Sequence, residues 1–189
     1  YGLPPISADP PLHTATRRML LPWFSHTRVD SYVEATRAHC RELIDGFIDK
    51  GACDAAHDYA RHIPVRIIAR VLGVPVDLSD TFAGWVRAIL DPNGDTDGRA
   101  RASKELLSFF VEHIRLRRAN PADDLLSTLL RTTVDDAPVA DELALGMSAM
   151  VLIAGVDTTW SAIGASLWHL ATHPADRARL VADPELFST

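Results

Sequence analysis

Cysteine is scarce in this sequence. The 189 residues hold two, Cys40 and Cys53. They lack zinc-site spacing, so both read as reduced structural thiols. Positive charge is also in short supply. Nineteen Lys and Arg against 25 Asp and Glu leave a net charge of −6, which argues against a nucleic-acid binder. No internal repeat, low-complexity tract or secretory signal stands out, and the default location is the cytoplasm. The longest apolar run, residues 143–156, stops at Asp157, short of the roughly 20 residues a bilayer span needs. These absences leave a soluble globular chain, 47% hydrophobic and long enough for one sizeable core.

The sequence is organised around LALGMSAMVLIAGVDTTWSAIGASLWHLATH, residues 143–173. Leu143, Met147, Met150, Val151, Ala154, Trp160, Ile163, Leu167 and Leu170 recur at helical spacing. With Asp141 as N-cap and Glu142 in the first turn, the helix is expected to run to about Thr172. Mid-way along it, Asp157, Thr158 and Thr159 follow the pair Ala154-Gly155. A carboxylate in apolar surroundings is costly unless something pairs with it, so its presence there suggests use. Gly155 costs roughly 0.5–1 kcal/mol relative to alanine inside a helix. Without a Cβ it lets something flat approach the backbone. Thr158 and Thr159 can bond back to carbonyls one turn earlier and loosen the helix. The turn reads as a helix wall with a polar notch; the plainer alternative is a packing glycine beside a helix end.

Upstream, Asp9-Pro10-Pro11 reads as a helix start, with Asp9 as N-cap and Pro10 at the first helical position. His13 and Arg17 then share a face, with Arg18 beside them. By spacing alone this is a solvated basic face rather than an anion clamp. Val29, Val33, Thr36, Cys40, Leu43 and Phe47 form an apolar stripe that places Cys40 in the core. Residues 51–54 are a turn. Ile63, Ile67, Ile68, Val71 and Leu72 mark a helix ended by Gly73-Val74-Pro75. Residues 78–90 predict another helix, broken by residues 91–95. Residues 99–118 predict the next, with Leu106, Leu107, Phe110 and Ile114 inward. A short helix starts within residues 120–126, and His173-Pro174 opens a last one. His169 and His173 are four apart, but no third ligand accompanies them. They read as surface or capping residues, and no metal site is assigned.

Several of these segments resemble one family. Ala154-Gly155-Val156-Asp157-Thr158-Thr159 is similar to the (Ala/Gly)-Gly-x-(Asp/Glu)-Thr-(Thr/Ser) motif on the distal helix of cytochrome P450. Residues 9–18, DPPLHTATRR, with LPWFS after them, resemble a stretch of the bacterial members. Residues 65–75, VRIIARVLGVP, resemble the family helix that ends in Leu-Gly-(Val/Ile)-Pro. The resemblance implies an all-α chain, the central helical part of the cytochrome P450 fold, organised around a long distal helix. It implies a single partial domain, residues 1–189, of a longer soluble bacterial enzyme. The activity implied is haem-dependent insertion of one oxygen atom of O2 into an organic substrate. His13 and Arg17 would bind the propionates of haem b. Ala154 and Gly155 would leave room over the haem face. Thr158 would hydrogen-bond the bound dioxygen, and Asp157 would relay protons to it. The helices flanking residues 91–95 would form a mobile lid. Electrons would come from a ferredoxin and its reductase, with Arg17, Arg18 and Arg28 suited to an acidic partner.

Two further family signatures, the Glu-x-x-Arg of the next helix and the Phe-x-x-Gly-x-x-x-Cys loop bearing the axial thiolate, are expected downstream of Phe187 and so not among these residues. Cys40 and Cys53 stand in unlike contexts, so neither is assigned to iron. The chain by itself is therefore expected to be marginally stable and inactive, with an uncovered apolar stripe. Two other readings compete: a helical ligand-binding module without redox chemistry, and a degenerate relative that has lost the cysteine loop.

Overall fold

The computed structural model describes residues 2–134 and 137–188. Helices follow one another as α1 (Leu12–Leu20), α2 (His26–Asp30), α3 (Val33–Asp45), α4 (His62–Leu72), α5 (Ser79–Leu90), α6 (Thr96–Ala119) and α7 (Leu125–Arg131). The strands β1 (Thr133–Val134) and β2 (Ala137–Pro138) then pair antiparallel. The chain continues into α8 (Asp141–Thr172) and α9 (Pro174–Ala182). The all-α reading holds apart from that two-residue hairpin, which no sequence pattern announced.

Helix α8 forms where its spacing predicted, over 32 residues. Its N-cap is Ala140, and Asp141 is the first helical residue, without a capping hydrogen bond. Asp141 is instead paired with Arg118 at 2.7 Å. From Ala144 to Val156 the helix is largely buried, packed on α4, α5, α6 and α7. Past Asp157 none of its residues is buried, and Trp168 is 68% exposed. By length and composition alone α8 could cross a bilayer, but half of its most apolar window is buried in the protein, as in a core helix.

Helix α1 starts at Leu12, two residues later than the sequence suggested. Proline disfavours the helical region for the residue before it, so Pro11 keeps Pro10 out of the helix. The Asp9 carbonyl still accepts the His13 N–H at 3.0 Å. The stripe expected from Val29 to Phe47 is interrupted between α2 and α3, and Val29 and Val33 are exposed. Cys40 is half-buried there. It contacts the Tyr59 phenol, whose pKa is pushed up to about 12, mainly by burial and then by that contact. Residues 55–60, just before α4, form a π-helical turn capped by Asp54, which accepts from Ala56 N–H and His57 N–H.

The ends of α4, α6 and α7 meet around Gly73. This residue is the left-handed cap of α4, with φ of 72°. Its carbonyl accepts Arg117 Nη2 at 2.6 Å and His113 Nε2 at 2.9 Å. Arg117 Nε also donates to Asp124 Oδ2 at 2.6 Å. The Asp124 side chain is 4% exposed and caps α7 by accepting Ser127 N–H. A Cβ on Gly73 would overlap this carboxylate. Next to it, Arg118 donates to the carbonyls of Leu130 and Val139. It thereby joins the end of α6 to α7 and to the start of α8. Phe82, Phe109 and Phe110 pack edge-on between α5 and α6, and His113 stacks on Phe109 at 5.5 Å.

Gly73→Ala should therefore lower stability by more than about 2 kcal/mol, from strained φ and displacement of a buried carboxylate. A denaturant titration checks this; an unchanged midpoint would remove Gly73 from the junction. His113 carries a second expectation. Burial is the largest influence on it and holds its pKa below the ordinary 6.5. As pH falls through about 6.5 the unfolded state takes up the proton first, so stability is full above that pH and declines below it. Burial lowers the His62 pKa in the same direction. His113→Gln should flatten the loss of melting temperature between pH 7 and pH 5. Parallel pH curves for the two proteins would contradict the assignment.

Candidate functional site

The exposed face of α8 at its mid-point carries the residues singled out by sequence. Ala154 and Thr158 lie one turn apart on that face. The Thr158 hydroxyl donates to the Ala154 carbonyl at 2.8 Å, the back-bond expected of it, yet the helix continues without a break. Asp157 is half-buried. Among the described residues, no hydrogen bond or ion pair engages its carboxylate.

A cavity of about 400 Å³ opens beside this face. Arg17 from α1 lines it, together with Met150, Ala154 and Gly155 of α8 and Ile68 of α4. Phe24 and Pro5 complete the apolar wall. The structure thus brings Arg17, Ala154 and Gly155 to one cavity. His13 is half-buried one turn before Arg17 and does not line it; nor do Asp157 and Thr158. Arg17 is exposed, and its guanidinium has no partner among the described residues. Arg28, grouped with Arg17 and Arg18 by sequence, is committed elsewhere. It forms a two-point pair with Asp123 at 3.0 and 3.3 Å and lies 3.9 Å from the Trp23 ring centre. That pairing takes Arg28 out of the free basic surface the sequence suggested.

What approaches Gly155 is Ile68. A Cβ at position 155 would stand 2.5 Å from Ile68 Cδ1 and 2.6 Å from Cγ1. The glycine therefore brings α4 close to α8 and fixes one edge of the cavity, while Ala154 faces the open side. Ile68 was read from sequence only as a core residue. Its place in the apolar periodicity of α4 marks burial, and nothing local marks the glycine it meets. His169 and His173 stack at 4.0 Å at the end of α8, with His169 paired to Asp176 at 3.0 Å. They are a helix-end pair. No cluster of three or more metal-ligating side chains exists among the described residues.

No family model matches the chain. Individual relatives do. It is 33% identical over 182 residues to 6-deoxyerythronolide B hydroxylase of Saccharopolyspora erythraea, covering 94% of this chain and 45% of that protein. It is 32% identical over 185 residues to vitamin D(3) 25-hydroxylase of Pseudonocardia autotrophica, covering 97% and 46%. The LnmA cytochrome P450 hydroxylase of Streptomyces atroolivaceus superposes with a TM-score of 0.88 at 28% identity, over 96% of this chain and 47% of that one. Over nearly its whole length the chain is similar to bacterial cytochrome P450s. It spans a little under half the length of the curated P450 relatives it matches, and its helices form the corresponding helical part of the P450 fold.

The contact between Gly155 and Ile68 can be measured by a double-mutant cycle. Gly155→Ala should destabilise the protein, and Ile68→Ala should remove most of that cost, giving a coupling of about 1 kcal/mol or more. Additive effects in chemical denaturation would show that the two residues do not constrain each other.

Proposed function

We propose that the full protein is a haem-dependent monooxygenase. It inserts one oxygen atom of O2 into an organic substrate and reduces the other to water. The observation that carries this reading is the cavity joining Arg17 to Ala154 and Gly155. Haem is a flat apolar macrocycle with an anionic edge. The cavity has a matching character: apolar walls, a small residue on the open helix face, and one unpaired guanidinium at the rim. A propionate would take Arg17 through charge-assisted hydrogen bonds. His13, on the same face of α1, would donate to the second propionate after a side-chain reorientation. Neither cysteine of the chain is assigned to the iron.

Bound there, haem supplies the redox chemistry of dioxygen. The chain supplies space and protons. Ala154 and Gly155 keep the helix wall thin beside the cavity. Thr158 Oγ1, while donating to the Ala154 carbonyl, can accept a hydrogen bond from water on the open side. Turning away from that carbonyl would free its proton for an acceptor on the open face of the helix. Asp157, half-buried and without an internal partner, would take a proton from solvent and return it to a water held by Thr158. A carboxylate beside a hydroxyl is a workable relay. The relatives named above are hydroxylases, which supports the reaction class. By the same analogy the protein acts in the cytoplasm with a ferredoxin and its reductase.

The full-length protein should purify with a haem Soret band, and Arg17→Gln should release haem about tenfold more readily. A colourless product would favour the helical binding module. Thr158→Ala should uncouple the reaction, so that reductant is consumed with less product and more peroxide. Asp157→Asn should slow turnover and change the solvent isotope effect. Equal product per reductant in the Thr158 variant, or an unchanged rate and isotope effect in the Asp157 variant, would remove that residue from the relay.

A further inference from the structure

Helix α1 does not end in a free loop. Leu21 keeps helical dihedrals, and the chain passes directly into a 3₁₀ turn, Leu21–Phe24. Arg17, Leu20, Leu21 and Phe24 all line the cavity beside α8. One continuous run, residues 17–24, therefore carries both the unpaired guanidinium and an apolar wall. Within that run Trp23 is 6% exposed and belongs to the core. The Arg28 guanidinium covers its ring, with the central carbon 3.9 Å from the ring centre. A cation at that distance is attracted by the ring quadrupole.

Arg28 does not hold this place alone. Its Nη1 and Nη2 donate to the two carboxylate oxygens of Asp123, 95 residues away in the chain. The Asp123 side chain is 85% exposed, so the pair contributes little to stability. A two-point fork nevertheless fixes the direction of a guanidinium. The carboxylate is itself anchored by its neighbours. Ala122 N–H donates to Ser127 Oγ at 2.9 Å, and Ser127 N–H donates to Asp124 Oδ1 at 2.7 Å. Both residues flanking Asp123 are thus tied to one buried serine of α7. Asp124 is the carboxylate packed against Gly73. Residues 122–124 therefore reach the cavity by two routes. One runs through Gly73 and α4 to Ile68, and the other through Arg28 and Trp23 to the end of α1.

We propose that Arg28, held by Asp123, is a positioning residue for the cavity that Arg17 lines. It fixes the Trp23 ring, and with it the placement of residues 17–24 against α4 and α8. The proposal rests on the haem reading of that cavity, in which Arg17 takes a propionate. Arg28 does not line the cavity; it acts through Trp23. A guanidinium that must meet an anion at defined points is sensitive to small displacements, so the shell that supports it governs how firmly the anion is held. A contact of little weight for stability can thus carry weight for retention.

The test uses the full-length protein. Haem loss to excess apomyoglobin should be about fivefold faster in Asp123→Asn and in Arg28→Gln, while the melting temperature moves by no more than about 2 °C. The double variant should be no worse than either single one, since both remove the same contact. Arg28→Lys, which keeps the charge but not the fork, should fall between the parent and Arg28→Gln. A second readout needs no haem. With fluorotryptophan incorporated and the Trp23 signal assigned by Trp23→Phe, the Trp23 fluorine resonance should shift in Asp123→Asn. An unmoved Trp23 resonance would overturn the proposal. So would unchanged haem loss in both single variants, or effects of the two substitutions that simply multiply. A protein that carries no haem would remove the haem reading alone, and the Trp23 resonance would still decide whether the pair fixes the ring.

Discussion

The junction at Gly73 sets the frame in which the rest of the structure is built. A carboxylate as buried as that of Asp124 is costly unless its lone pairs are taken up. Arg117 and the Ser127 N–H take them up, and the space for that carboxylate exists because position 73 has no side chain. The same carbonyl of Gly73 collects Arg117 and His113 from α6. Three helix ends are thus fixed in one small polar cluster. The direction of α4 follows, and with it the approach of Ile68 to Gly155. The outline of the cavity beside α8 depends on that approach. A local charge arrangement at one end of α4 therefore shapes an apolar site little more than one helical turn away.

Much of the helical layout was readable because apolar periodicity and helix ends are local properties. Gly73-Val74-Pro75 ended α4 where expected, and α8 spans nearly the predicted residues. Local rules failed where two prolines adjoin, since Pro11 governs Pro10 and moves the start of α1. They also failed at the hairpin, whose two-residue strands carry no pattern. The candidate site was legible in part. Sequence selected Ala154, Gly155 and Arg17, which the fold brings to one cavity across more than a hundred residues. It could not foresee that Arg28 is occupied by Asp123 or that Gly155 receives Ile68. Both facts belong to pairs far apart in the chain, and each partner looks ordinary alone.

Helix α8 is also a partition. Its first half is buried on most sides and holds the core together. Its middle presents different faces to different spaces, with Ala154 toward the apolar cavity and Trp160 toward a second one lined by Arg61, Arg87 and Arg99. Asp157 lies between them in sequence and is neither fully buried nor paired. Because successive helical residues turn about the axis, the two spaces are shaped by separate residues of one rigid element. Volume or polarity on one side can be altered without rewriting the other.

The meeting of the first residues with α8 bears on how the chain acquires its shape. A Cβ on Gly146 would stand 2.5 Å from the carbonyl oxygen of Gly2, so residues 2–4 rest directly on the helix backbone. During synthesis Gly2 leaves the ribosome long before Gly146 exists. Until α8 emerges, that segment and Pro5, which lines the cavity, lack the α8 side of their contacts. Closing so long a loop carries an entropic cost that must be met before the contact contributes anything. The part of the cavity wall contributed by Pro5 is therefore completed only after α8 has been made, and the site stays open on that side until then.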